Sequence, residues 1–385
     1  MQGRGGKFLS FEERASHNQW LDLLRTLAIV LVLLRHASGI AISGLPDGLA
    51  RNIFRNGWVG VDLFFVLAGY LIAGGLMRKF AKGESLFPVS YFKDRILRIV
   101  PAYYAVLGLC SAGFFPGFAI RSDDLFQSLI AHLLFLQDYT GSDINVVFWT
   151  LGVEEKFYLV APLLVWALFK PKTLQACAAL GIAVLLVSPL GRGMAFEMLG
   201  RSIQYNEFFV LMRSPFHMSL EGFVIGIMVA ILHARGVVFP RPAALAGLWA
   251  SGGLLALWLG SHQFYAEISR FDAWLLPTLL AVLFGFMVFC AASLSDQKLG
   301  FTPFFRVNAR LSYALYLVHY PLLPLAFAIG YERHPLIFWA SYFLFTYTAA
   351  LMVHFGIEKP FLTLKDRLNE RALAVPRKPI EPVLS

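Results

Sequence analysis

Apolar residues fall along this chain in long blocks separated by short polar or charged turns. The blocks lie near residues 20–42, 58–77, 99–120, 148–169, 173–190, 216–232, 243–260, 274–293, 311–330 and 336–357. Most approach the roughly 20 residues a helix needs to cross a bilayer. The pattern predicts an all-α, polytopic integral membrane protein of about ten transmembrane helices. An even number returns both termini to one side. With the N-terminus inside, the inner segments hold 22 of the 33 Lys and Arg residues, which selects an N-in, C-in orientation. The expected organisation is a cytoplasmic tail over 1–19, a membrane domain over 20–360 and a second cytoplasmic tail over 361–385. The charged, proline-containing stretch from Glu358 onward is expected to be partly disordered. Residues 123–139 are apolar but short, and read as an outer amphipathic or re-entrant segment in which His132 is structural.

Composition agrees with this reading. The 385 residues are 58% hydrophobic and 15% charged, with a mean hydropathy of +0.64, far from the values of a soluble domain. A net charge of +9 invites a nucleic-acid reading, but the basic residues are spread over short loops, which topology explains and a nucleic-acid face does not. Cys110, Cys177 and Cys290 lie far apart within hydrophobic blocks and form neither a disulfide framework nor a metal-ligand spacing. The polar N-terminal tail precedes a block too long and too charged for a signal-peptide core, so it is expected to be retained.

The charges inside the apolar blocks carry the chemistry. The first block, LDLLRTLAIVLVLLRHASGI, contains Arg25, Arg35 and His36. Eleven helical steps separate Arg25 from His36, which returns to within about 20° of the same face after a rise of about 16 Å. Arg35 is expected to point elsewhere and to snorkel outward. Arg25 and His36 are either site residues or, respectively, a snorkelling cation and a packing imidazole. In the second block Asp62 is either a carboxylate that orients an imidazole or an arginine, or a helix N-terminal charge stabilised by the dipole. On the inner side Lys93, Arg95 and Arg98 occupy an expected interfacial helix. Arg95 and Arg98, three residues apart, can converge on one anion or simply anchor to lipid phosphates. In the fourth block Glu154, Glu155 and Lys156 enter the membrane together, and Tyr158 lies one turn from Glu154. Adjacent glutamates diverge by about 100°, so at most one faces a given site while the other pairs with Lys156 or reaches the interface. A buried glutamate is a candidate acid or base. Arg213 and Glu221 are outer-side charges without an assigned role. His319, flanked by Tyr316 and Tyr320, is either a packing histidine or part of a site.

Five of these segments, in order, resemble the membrane-bound acyltransferase 3 family, the O-acyltransferases of surface polysaccharides. They are LDLLR with Arg25 ten intervening residues before His36, GWVGVDLFFVLAGYLI, RILR at 95–98 followed by Pro101, WTLGVEEKFYLVAP, and SYALYLVHYP. Two positions depart from the family's pattern: Ala68 and Gly152 stand where serines are common, so no acyl-serine can form at 68. No hydrolase-type domain follows the membrane part, as it does in fused members, and acceptor handling is expected of a separate protein. The resemblance implies transfer of an acyl group, most often acetyl, from cytoplasmic acyl-CoA to a hydroxyl of a sugar or lipid-linked glycan at the inner (plasma) membrane, with no permanently bound cofactor or metal. On that reading Arg25, Arg95 and Arg98 hold the CoA phosphates. His36 is the general base or is itself acylated, Glu154 or Asp62 orients it, and Tyr158 or a backbone N–H meets the oxyanion. The rival classes are an ion-coupled secondary transporter of a small anionic or sugar-like substrate, for which no inverted repeat is visible, and an idle scaffold in an export complex.

Overall fold

A computed structural model describes residues 18–41, 48–200, 203–262, 268–295, 298–300, 302–330 and 334–374. Among them the only β pairing is an isolated antiparallel bridge between Ile203 and Ile268. The remaining order is helical, as the hydrophobic pattern predicts. Both ends of the chain, including most of the N-terminal tail and residues 375–385, lie outside the described residues.

The helices follow the apolar blocks. Helix α1 is Gln19–Ala41, opened by Asn18, whose side chain accepts hydrogen bonds from the backbone N–H groups of Trp20 (2.9 Å) and Leu21 (3.3 Å). Next come α2 (Leu49–Ala81, with a 3₁₀ turn at Gly57–Val59), α3 (Val89–Ser111), α4 (Trp149–Phe169), α5 (Leu174–Leu199) and α6 (Leu220–Ala234). Then follow α7 (Arg241–Ser261), α8 (Leu276–Ser293), α9 (Thr302–Val318), α10 (Leu323–Gly330), α11 (Pro335–Val353), a π-helical turn over His354–Glu358, and α12 (Lys359–Ala374). Five stretches are long and apolar enough to cross a membrane: α2, α5, α7, α8 and Pro335–Glu370. A sixth is added if the α9–α10 pair, bent by 85°, counts as one broken span. The expected ten is thus not what length and hydropathy alone return. Each of α1, α3 and α4 is longer than 20 residues but carries charge, and α6 has 15 residues.

Three boundaries differ from the sequence reading. Basic residues 93–98 do not form a separate interfacial helix: they are the first turns of α3, which begins after Pro88 and continues through Pro101. The ninth block breaks after Val318, where Pro321 and Pro324 remove two backbone donors that a continuous helix needs. The stretch after Glu358 is not disordered as far as Ala374. It forms α12, tied to α3 by Asn369, which accepts from Lys93 Nζ (2.7 Å) and donates to Asp94 Oδ1 (3.0 Å).

Close helix contact is bought with glycine at specific places. A Cβ on Gly69 would strike the carbonyl oxygen of Phe223, and one on Gly226 the carbonyl oxygen of Val66, so α2 and α6 touch backbone to backbone. Around this seam Phe65, Phe157, Phe223 and Ile227 build the main core together with Tyr103, Leu315 and Tyr342. A second core lies between α1, α2, α7 and α8, through Leu24, Leu63, Leu259 and Phe284. Helices α5 and α7 present Leu190, Met194 and Met198, and Trp249, Leu254 and Leu257, outward, as lipid-facing helices do.

Candidate active site

Two polar regions form at opposite ends of the α1 stripe. At the Arg25 end, the Arg25 guanidinium lies 3.7 Å from Asp22 and keeps 24% of its side-chain exposure. Arg25, Arg95 and Arg98 are near enough to act on one another electrostatically, and Arg98 also feels Tyr158 and Glu358. Arg98 is exposed, so this cluster is reachable from outside the protein. Arg95 stands over the rings of Tyr91 (5.9 Å) and Tyr158 (5.8 Å), its Nε without a partner. The Tyr158 hydroxyl donates to Glu154 Oε2 at 2.8 Å, and the Glu154 carboxylate lies within reach of the charges of Arg95 and Arg98. The π-helical turn adds His354 Nδ1, 2.6 Å from Glu358 Oε2.

At the His36 end a cavity of about 660 Å³ opens beside the imidazole. Its walls are aromatic, from Trp58, Trp149, Tyr205, Tyr316 and Tyr320, and its polar groups come from Arg35, Arg121, Ser142, Asp143, Asn206 and Arg213. Arg25, Arg95, Arg98 and Glu154 are not among the lining residues. His36 packs against His319, with ring centroids 5.0 Å apart, and edge-on against Tyr320 at 5.3 Å. Arg35, expected to point away from this face, instead lines the cavity with its guanidinium 5.7 Å from the centre of the Tyr205 ring.

The structure therefore brings together Arg25, Arg95, Arg98, Glu154 and Tyr158, and separately His36 with His319 and Tyr320. It does not give His36 either expected carboxylate. The side-chain bond of Glu154 is with Tyr158. Asp62, buried just after the 3₁₀ turn of α2, accepts from Arg213 Nη1 (3.2 Å) and Nη2 (3.1 Å). The Asp62–Arg213 pair supports the cavity wall, because the Arg213 guanidinium lies over Trp58 (4.3 Å) and Trp149 (5.5 Å). Lys156 pairs with neither neighbouring glutamate: it meets Asp138 Oδ1 and the Phe135 carbonyl, both at 2.5 Å. Burial pushes the Asp138 carboxyl above the usual carboxylate range, while Lys156 pulls it back. That pairing explains one departure from the family pattern. A Cβ at Gly152 would stand 2.8 Å from Asp138 Oδ1, so glycine makes the room Asp138 occupies. His132 is fully buried, with Nδ1 donating to the Ser128 carbonyl at 2.7 Å.

The profile of the acyltransferase domain family, Acyl_transf_3, matches residues 18–355, which contain the cavity lining and Arg25, Arg95, Arg98 and Glu154. The chain belongs to the acyltransferase 3 family. It is accordingly an O-acyltransferase, as the resemblance of its motifs implies. The chain is similar to "Nodulation protein 10" of Rhizobium leguminosarum bv. viciae, 25% identical over 95% of this chain and 99% of the relative. It is also similar to "O-acetyltransferase OatA" of Staphylococcus aureus, 26% identical over 40% of this chain, and to "Peptidoglycan O-acetyltransferase OatA" of Listeria monocytogenes, 29% identical over 37%. These two matches span only 26% and 23% of the relatives' own lengths. No solved structure matches the chain.

Within this acyltransferase 3 protein, sequence reasoning left the cavity walls unassigned. Trp58 and Trp149 do stand inside two of the family-like segments, GWVGVD and WTLGVEE, and could have been found there. Arg213, Tyr205 and Arg121 carry no such signal.

Proposed function

We propose that this acyltransferase 3 protein moves an acyl group, acetyl in the first instance, from cytoplasmic acyl-CoA to a hydroxyl of a glycan acceptor seated in the cavity beside His36. On this reading the protein is a multi-pass component of the inner membrane with both termini inside. One observation carries the proposal: a single helix has its arginine beside a second basic pair at one end and its histidine on the wall of an aromatic-lined cavity at the other.

The arginine end suits the donor. Guanidinium groups bind phosphate oxygens through paired N–H donors, and CoA brings phosphates at one end of a long flexible arm that ends in the thioester. Arg98 is exposed and Arg25 partly so, as a binding site filled from the cytoplasm requires. Glu154, bonded to Tyr158, sits within reach of the charges of Arg95 and Arg98 and offsets part of the repulsion between them.

The cavity suits the acceptor. Its volume of about 660 Å³ falls in the range of small-molecule sites, roughly 300–1,000 Å³. The rings of Tyr205 and Tyr320, both partly exposed on the cavity wall, can cover the C–H side of a sugar ring, while Asn206, Ser142, Asp143 and Arg121 bond its hydroxyls. A glycan acceptor also agrees with the peptidoglycan named for the Listeria relative. In the reaction, His36 takes the proton as the acceptor oxygen attacks the thioester carbonyl. The new C–O bond forms, the C–S bond breaks, and the proton passes to the departing thiolate.

The test uses the purified full chain in nanodiscs with acetyl-labelled acetyl-CoA, and cells with and without the protein whose surface glycans are compared by mass spectrometry. His36→Ala should abolish acceptor-dependent release of CoA and the acetyl mass increment on the glycan, while folded yield by size exclusion is kept. Full activity in that variant would remove His36 from the reaction. Uptake of label without chemistry would favour a carrier.

A further inference from the structure

His319 sits at the point where α9 breaks, completely buried and not itself on the cavity wall. Its Nδ1 lies 2.8 Å from the Tyr316 carbonyl oxygen and 3.2 Å from that of Leu315. A carbonyl oxygen only accepts, so Nδ1 carries the ring proton and Nε2 carries the lone pair. That Nε2 is buried without a hydrogen-bond partner. The ring in contact with it, His36, has a buried orphan of its own, Nδ1. The two centroids are 5.0 Å apart with planes inclined at 44°. At this separation a turn of the His36 ring brings one nitrogen of each within hydrogen-bond distance, about 2.7–3.2 Å. One orphan is an obligate acceptor and the other becomes a donor when protonated, so each is the partner the other lacks.

We infer that His319 is a positioning residue for acyl transfer: its Nε2 accepts a hydrogen bond from Nδ1–H of His36, which leaves His36 Nε2 unprotonated and turned towards the cavity. The inference rests on the reading of His36 as the proton acceptor, and it supplies the orienting group that neither Glu154 nor Asp62 provides. The chain of bonds runs from the Tyr316 carbonyl through His319 to His36, and all of its fixed members belong to the broken end of α9. A neutral imidazole holds the tautomer without adding a negative charge. When His36 Nε2 takes the acceptor's proton, the resulting imidazolium still donates through Nδ1 to His319, and the proton leaves again from Nε2.

The test reads the tautomer directly. Full-length chain labelled with ¹⁵N-histidine is placed in nanodiscs, and the His36 nitrogen signals are identified by their loss in His36→Gln. The expected spectrum at neutral pH has Nδ1 protonated and Nε2 bare; a protonated Nε2 in the resting protein overturns the inference. His319→Phe keeps a ring and removes the acceptor. It should return His36 to a mixture of tautomers and lower kcat by a factor on the order of 10², with KM for acetyl-CoA unchanged. In His319→Gln the amide oxygen can accept, so the tautomer and part of the rate should be recovered. Equal rates for the Phe and Gln variants, or a His36 tautomer unmoved in His319→Phe, would reject the assignment. If the Phe variant does not fold, the resting spectrum of the native chain and the Gln variant still decide. Activity surviving in His36→Ala would instead defeat the functional reading, and the tautomer measurement would stand apart from that outcome.

Discussion

Arg213 and Asp62 are 151 residues apart in sequence and form a two-pronged ion pair with only 4% and 11% of their side chains exposed. Removing one partner leaves the other charged and buried, which typically costs about 3–5 kcal/mol. Arg213→Met should therefore lower thermal stability in detergent sharply, and the double change Arg213→Met with Asp62→Leu should recover most of the loss. A single variant as stable as the parent would show the pair to be idle. Gly226 offers a second check, because any side chain there meets the backbone of α2. Gly226→Val is expected to cost about 1–3 kcal/mol or more and to reduce folded yield. Legibility at this scale followed solvation. Arg25, His36 and Glu154 stood out because an ionisable group inside an apolar run is unusual. The sequence offered two possible roles for Asp62, and its partner was invisible, since no periodicity links residues so far apart.

Helix α3 shows how an element carries chemistry across a boundary that the pattern misplaces. Hydropathy drops over residues 93–98, which suggests a separate surface helix, yet the backbone stays helical from Val89 to Ser111. Arg95 and Arg98 are thus fixed to the same rod that packs Tyr103 and Val106 into the core. Rigid placement predicts a binding effect, not a folding one: Arg95→Ala with Arg98→Ala should raise KM for acetyl-CoA with folded yield retained. An unchanged KM would return the pair to lipid anchoring. The α9–α10 break is the second such element. Replacing Pro321 and Pro324 by alanine restores two backbone donors and permits a straighter helix, which would draw His319 away from His36. Transfer should fall by about a hundredfold while helix content by circular dichroism is kept. Prolines were visible in the sequence, but the 85° bend and the imidazole contact depend on packing against α1.

At the scale of the whole molecule, the sequence reading of ten spans and the five or six returned by length and hydropathy describe different properties. Helices α1, α3 and α4 bring Arg25, Arg95, Arg98 and Glu154 together, so polar residues that depress their hydropathy build the region at the Arg25 end. Sidedness can be measured directly. The three native cysteines are free and buried, so a thiol reagent should leave them silent. Ser85 and Thr140 are exposed. A cysteine introduced at Thr140 should react with an impermeant maleimide on intact cells, and one at Ser85 only after permeabilisation; the reverse pattern would invert the orientation on which the donor and acceptor ends are assigned.

The interruption between α9 and α10 also bears on which residues can change independently. Two prolines set the bend, one carbonyl fixes a proton on the ring beside it, and that ring touches the histidine of another helix. Grafting this histidine into a straight helix of a different membrane protein would carry over the side chain without its tautomer. The transferable unit is the corner itself, from Tyr316 to Pro324, and drift at any one of its positions would have to be answered by another within the same nine residues.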